Sequence, residues 1–165
     1  ERAFGVAAVY SLENKEQIEI KKVECQVRFP YIPTYLSYRE APVFSRLTDV
    51  KNAVYLVDGQ GLLHPRAGIA SHLGVICNVP TVGAAKSLLY GHVETPESDR
   101  SEITINGKLS GMALKEGSST TYVSVGHRVS LNTATELCTR FLCRGIPLPL
   151  RTAHDEATLA RKRAT

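Results

Sequence analysis

The stretch Tyr55-Leu-Val-Asp58-Gly-Gln-Gly61-Leu-Leu-His64-Pro-Arg66 decides the fold. An apolar run from Ala53 to Val57 ends at an acid, and two glycines, a histidine and an arginine follow within a few residues. This pattern predicts a buried strand that delivers a carboxylate into a glycine loop with cationic groups nearby, which suits a metal ion and a phosphate. The alternative is an ordinary strand end with a solvated acid.

Length and composition indicate a globular protein. The chain has 165 residues, of which 43% are hydrophobic and 22% charged, and this balance is typical of one domain, residues 1–165, with a sizeable core. No apolar stretch approaches the roughly 18–20 residues that span a membrane. The four cysteines form no CxxC pair, so we expect reduced thiols and a cytoplasmic protein.

The apolar periodicity predicts an early hairpin followed by alternating strands and helices. Asn106-Gly107 is a strong two-residue hairpin turn. The expected strands are 4–10, 18–27, 53–58, 81–85 (parallel to 53–58), 103–105, 108–114 and 121–125, and the expected helices are 42–47 beginning at Pro42, 67–77, 134–142 and one from about Ala153. This order predicts an α/β fold, a mixed sheet with helices on its faces.

Two acids are candidate metal ligands. Mg²⁺ usually keeps several waters and binds only one or two protein carboxylates. Glu40 and Asp58 meet at such an ion if their segments converge, which sequence separation alone does not show. Asp49, in a polar turn, is interpreted as solvent surface.

Cationic residues are candidates for phosphate contacts. Lys86 follows the second buried strand, and the carboxyl ends of parallel strands share one edge of a sheet, so Lys86 and Asp58 are expected on that edge. His154 is predicted to open a basic helix. From Arg140 onward six basic residues face two acids, Asp155 and Glu156, and this excess supports a nucleic-acid partner only weakly.

Tyr31 stands between two prolines in Pro30-Tyr-Ile-Pro33. A stiff segment that presents an aromatic and an aliphatic side chain is typical of wedges inserted between bases. The alternative is a strand exit whose tyrosine packs into the core.

Together these motifs resemble the endonuclease V family of inosine-directed nucleases. The blocks that carry the resemblance are Phe29-Pro-Tyr-Ile-Pro33, Tyr38-Arg-Glu-Ala-Pro42, Val57-Asp-Gly-Gln-Gly61, His64-Pro-Arg66, Ala70-Ser-His-Leu-Gly74, Pro80-Thr-Val-Gly83, Ala85-Lys-Ser87, Lys115-Glu-Gly-Ser118 and Gly126-His127. They cover essentially the whole chain, in family order.

The resemblance implies an RNase H-like fold and a Mg²⁺- or Mn²⁺-dependent endonuclease acting in DNA repair. Such an enzyme cuts one nucleotide to the 3′ side of inosine or another deaminated base, in DNA as the expected substrate. It implies that Glu40 and Asp58 are catalytic metal ligands and that Lys86 and His154 are catalytic. The implied substrate-binding residues are Pro30, Tyr31, Ile32, Pro33, Gly59, Gly61 and His64.

The sequence departs from the family pattern at two points. Thr34 stands where the family usually has glycine. The family's first strand carries a metal-binding Asp, whereas no Asp precedes Asp49 here, so we expect the chain to lack that strand, to be incomplete at its N-terminus, and to self-associate through exposed sheet edges.

Three alternatives remain open. A non-catalytic relative that only binds inosine-containing nucleic acid is one, and an inosine-specific endoribonuclease is another. A Ser/His hydrolase is the third, and the absence of a Gly-x-Ser-x-Gly sequence argues against it.

Overall fold

The computed structural model describes residues 2–163 of the chain. The elements within those residues are β1 (Arg2–Tyr10), β2 (Gln17–Gln26), α1 (Leu36–Phe44), β3 (Tyr55–Asp58), α2 (Ile69–Cys77), β4 (Thr81–Ala85), β5 (His92–Val93), β6 (Arg100–Ile105), β7 (Lys108–Glu116), β8 (Ser119–His127), α3 (Leu131–Phe141), β9 (Leu142–Cys143), β10 (Ile146–Pro147) and α4 (Leu148–Arg163). A 3₁₀ turn, Ser45–Leu47, follows α1.

The main sheet has six strands in the order β3-β4-β8-β7-β6-β5. Strands β3 and β4 are parallel, with Asp58 opposite Ala84, and the other neighbours are antiparallel. Between β6 and β7, Asn106 (φ 51°) and Gly107 (φ 73°) both adopt the left-handed conformation that a tight hairpin requires. The mixed sheet, its parallel pair and this hairpin are therefore confirmed.

Helices cover both faces of this sheet, and β3 shows why. Successive side chains of a strand point to opposite faces. Leu56 packs in one core cluster, with Val82 and residues of α3 and α4. Val57 packs in another, with residues of α1 and α2. The alternation of apolar residues on β3 thus places two helices on each side.

The hairpin of β1 and β2 forms a sheet of its own. Strands β1 and β3 line a common cleft of about 630 Å³, with α4 also contributing to its wall. Within residues 2–163, β1 pairs with β2 alone and β3 with β4 alone, so each presents an unpaired edge. The expectation of exposed sheet edges agrees with this arrangement.

Two predicted helix starts are wrong. Helix α1 begins at Leu36 and contains Pro42, which was expected to start it. The missing N–H of Pro42 falls in the last turn, where the helix already tightens into the 3₁₀ turn. Helix α4 begins at Leu148 rather than near Ala153, because a proline at position 149 is tolerated in a first turn, where N–H groups lack intrahelical partners. His154 therefore lies inside α4.

The cysteines are free thiols, as predicted. Burial raises the pKa of Cys138 to about 12, so this side chain behaves as an apolar core group. No helix among residues 2–163 is long and apolar enough to cross a membrane.

Candidate metal and nucleic-acid site

Core packing brings Glu40 and Asp58 together. Ala41 on α1 and Val57 on β3 belong to one buried cluster, and the acids are their immediate neighbours in sequence. Burial and then the charge of Asp58 raise the pKa of Glu40 to about 7, while the positive charge of Arg39 opposes the rise. The two segments therefore converge, as a shared metal site requires.

His154, on α4, lies near both acids. It lines the cleft that contains Asp58 and also a second cleft that contains Glu40. Arg2, Arg39 and Arg161 line the second cleft as well. The structure thus brings together three of the four predicted catalytic residues in a strongly cationic setting.

Lys86 lies apart from both clefts, on the same edge of the sheet as Asp58. It follows β4 just beyond Ala84, the register partner of Asp58, and its side chain is exposed. The predicted shared edge is therefore confirmed, whereas a direct contact between Lys86 and the carboxylates is not part of this structure.

The carboxylate pair fits a hard divalent cation. Among the described residues, no group of three or more His, Cys, Asp or Glu side chains has the arrangement of a metal site. Two carboxylates are nevertheless the number that Mg²⁺ commonly takes from protein, with water filling the remaining positions. Because burial and then the neighbouring charge of Asp58 make ionisation of Glu40 unfavourable, a cation between the two acids would relieve that cost.

The glycine loop after β3 is tightly packed. Gly59 has φ +153° and a Cβ there would meet the side chain of Ile69. A Cβ on Gly61 would collide with the backbone carbonyl of Val125, and its N–H donates to Ser124 Oγ at 2.9 Å. Gly59 thus leaves room for the Ile69 side chain and Gly61 for the Val125 backbone, and a role of either glycine in binding a base remains a prediction.

Gln60, between those glycines, is a residue that the sequence reasoning missed. Its side chain is buried, and Nε2 donates to the carbonyl of Ser87 at 2.7 Å, which ties the loop after β3 to the loop after β4. Its Oε1 is buried without a hydrogen-bond partner in the described structure. The sequence signal that could have identified Gln60 is a polar residue flanked by two glycines.

His64 shapes its own turn. Its Nδ1 accepts a hydrogen bond from the Arg66 N–H at 3.0 Å, and burial together with the charge of Arg66 lowers the pKa of the imidazole. The neutral ring therefore carries its proton on Nε2, which can donate.

Tyr31 is exposed, so the alternative of a core tyrosine is wrong. Its side chain is 68% exposed, and that of Ile32 is 40% exposed. Thr34, which replaces the glycine of the resembling family, has a left-handed backbone with φ +68°. All four residues of the 30–33 segment are exposed, which agrees with a wedge.

The comparison with protein families decides the relationship of this chain. The model of the endonuclease V family matches residues 1–155. The chain belongs to the endonuclease V family. Its members are nucleases, and the resemblance seen in the sequence blocks is thereby confirmed.

Two relatives named endonuclease V match nearly the whole of this chain. Endonuclease V of Thermofilum pendens is 43% identical over 164 residues, covering 94% of this chain and 71% of the relative. Endonuclease V of Thermus thermophilus is 40% identical over 172 residues, covering 96% of this chain and 76% of the relative.

Solved structures of endonuclease V show the same RNase H-like fold. The Streptomyces avermitilis protein is 30% identical with a TM-score of 0.81, over 99% of this chain and 82% of that one. The Ciona intestinalis protein, solved with a 24mer DNA containing an inosine followed by a ribo-adenosine, is 25% identical with a TM-score of 0.84, over 99% and 86% of the two chains.

Proposed function

We propose that this chain hydrolyses a phosphodiester bond one nucleotide to the 3′ side of inosine, in DNA, as a metal-dependent repair endonuclease. The observation that carries the proposal is the pair Glu40 and Asp58, which the packing of Ala41 against Val57 brings together and where burial and then the charge of Asp58 raise the pKa of Glu40 to about 7. Such a pair beside a cationic cleft suits a divalent ion and a phosphate.

Glu40 and Asp58 would hold the ion, Mg²⁺ or Mn²⁺. A divalent ion there supplies a Lewis acid for the phosphate and lowers the pKa of a bound water. His154, which lines the clefts of both acids, is placed to hold or move a proton at its imidazole. Lys86, on the shared sheet edge, would offset negative charge on the phosphoryl oxygens.

The surface beside this site suits a flipped base. The exposed Pro30–Pro33 segment would fill the gap left in the duplex, with Tyr31 stacking on a neighbouring base. Gly59 and Gly61 carry no side chain that would cover the loop backbone, and His64 can donate from Nε2 to a substrate acceptor. The inosine-containing DNA bound by the Ciona intestinalis protein supports this substrate class.

The test is strand cleavage by the purified chain. Labelled DNA and RNA of one sequence, each with inosine or adenine at a single position, are incubated with Mg²⁺, with Mn²⁺, or with EDTA. We expect a single cut at the proposed bond of the inosine-containing DNA, dependent on the ion. Cleavage that is equal for inosine and adenine, or that persists in EDTA, would reject the proposal. Preference for the RNA would assign the chain as an endoribonuclease.

A second candidate function is inosine recognition without cleavage. It is favoured because, within residues 2–163, no group of three or more His, Cys, Asp or Glu side chains is arranged to hold a metal ion. In the same assay this alternative predicts selective binding of the inosine strand with no product at any concentration of either ion.

A further inference from the structure

One end of the exposed Pro30–Pro33 segment is fixed by an aromatic stack. The ring of Phe29, the residue before Pro30, lies on the ring of Tyr38 from α1, with centroids 5.7 Å apart and planes 25° apart. The ring of His72 from α2 contacts Tyr38 in turn, at 4.7 Å. Arg39 Nη1 also donates to the Phe29 carbonyl at 2.8 Å. Helix α1 therefore holds Phe29 directly, and α2 supports this contact through Tyr38.

The other end is fixed by an unusual backbone. Thr34 has φ +68°, a conformation that costs a β-branched residue free energy because its Cβ crowds the following carbonyl. The Tyr35 N–H donates to the Ile32 carbonyl at 3.0 Å and closes a turn. The guanidinium of Arg66 lies 4.9 Å from the centre of the Tyr35 ring.

The segment between these ends is stiff and largely unpacked. Pro30 and Pro33 each restrict φ to one narrow range. Tyr31 and Ile32 are exposed, so no burial of this segment compensates the strain at Thr34. Backbone strain of this kind persists only where the surrounding structure holds the segment in place, and it marks a candidate functional segment.

We propose that the Phe29–Tyr38–His72 stack is a positioning element that, against the strain at Thr34, presets the Pro30–Pro33 segment for insertion into nucleic acid. This rests on the proposed function. Presetting removes the entropy that a flexible segment would lose on binding, so it strengthens binding where the wedge inserts fully, at the deaminated base. Tyr38 thereby acts on selectivity without touching the base.

The test removes the stack and the strain separately. Tyr38→Ala removes the ring that holds Phe29, and the matched control Tyr38→Phe keeps that ring. Thr34→Gly relieves the strain, because glycine adopts a positive φ without a Cβ penalty. Two quantities are measured for each variant: hydrogen exchange of the Tyr35 amide without nucleic acid, and the ratio of affinities for inosine and adenine duplexes in Ca²⁺.

We expect Tyr38→Ala to speed exchange at Tyr35 and to lower the affinity ratio about two- to fivefold. Tyr38→Phe should match the wild type in both measurements, and Thr34→Gly should keep the affinity ratio without lowering the melting temperature. An affinity ratio that is the same in Tyr38→Ala and Tyr38→Phe would overturn the proposal.

The exchange measurement separates this proposal from the proposed function. If the wild type has no preference for inosine, the proposed function fails, and presetting of the segment is judged by exchange alone. Unchanged exchange at Tyr35 in Tyr38→Ala would then overturn it.

Discussion

Glu40 on α1 and Asp58 at the end of β3 form a close pair of like charges. Burial and the charge of Asp58 raise the pKa of Glu40 from 4.5 to about 7. The electrostatic interaction between the two carboxylates is unfavourable when both are ionised. It becomes favourable when a cation lies between them. This single relationship connects the packing of α1 against β3 with the proposed chemistry.

Stability without metal should depend on pH through Glu40. The folded chain holds the Glu40 proton more tightly than the unfolded chain, so the free energy of unfolding falls as pH rises from about 4.5 to about 7. Glu40→Gln lacks this pH-dependent loss of stability. We therefore expect the free energy of unfolding of Glu40→Gln, relative to that of the wild type, to be higher at pH 8 than at pH 5. Urea unfolding in EDTA measures the difference. Glu97→Gln, at an exposed position, is the control, and a Glu40→Gln difference that is equal at both pH values would contradict the account.

Tyr31 should matter for binding and not for folding. Because its side chain is exposed, we expect Tyr31→Ala to leave the melting temperature unchanged. Loss of a stacking ring should weaken binding of inosine duplex by about 1–3 kcal/mol. A titration in Ca²⁺ and a melting curve check the two parts, with Leu109→Ala as an exposed apolar control. A large drop in melting temperature with unchanged affinity would remove the wedge role.

The unpaired edges of β1 and β3 should promote self-association. Sedimentation velocity over a range of concentrations is expected to show species larger than the monomer. Ala8→Lys places a charge on β1 in the cleft wall and should reduce these species. Leu109→Lys, on β7 outside the cleft, should not reduce them. A monomer at every concentration would show that the edges are protected.

The features that could be predicted from the sequence are those that local signals determine. The Asn106-Gly107 turn and the parallel pair of buried strands follow from turn chemistry and from apolar runs. Convergence of Glu40 and Asp58 depends on how α1 packs, which no local pattern contains. The start of α1 was missed because tertiary packing outweighs the penalty of Pro42 inside a helix. The hydrogen bond from Gln60 to Ser87 links two loops and was equally inaccessible.

Cleavage of inosine-containing DNA by Asp58→Asn, measured as a function of Mg²⁺ and beside duplex binding in Ca²⁺, tests most directly whether the acid pair carries the chemistry. Asp49→Asn is the matched control, because Asp49 is an exposed acid paired with Lys21 at 2.7 Å. The account predicts that Asp58→Asn loses cleavage by about a hundredfold or more while inosine binding persists, and that Asp49→Asn cleaves like wild type. Wild-type cleavage by Asp58→Asn, with the same dependence on Mg²⁺, would contradict it.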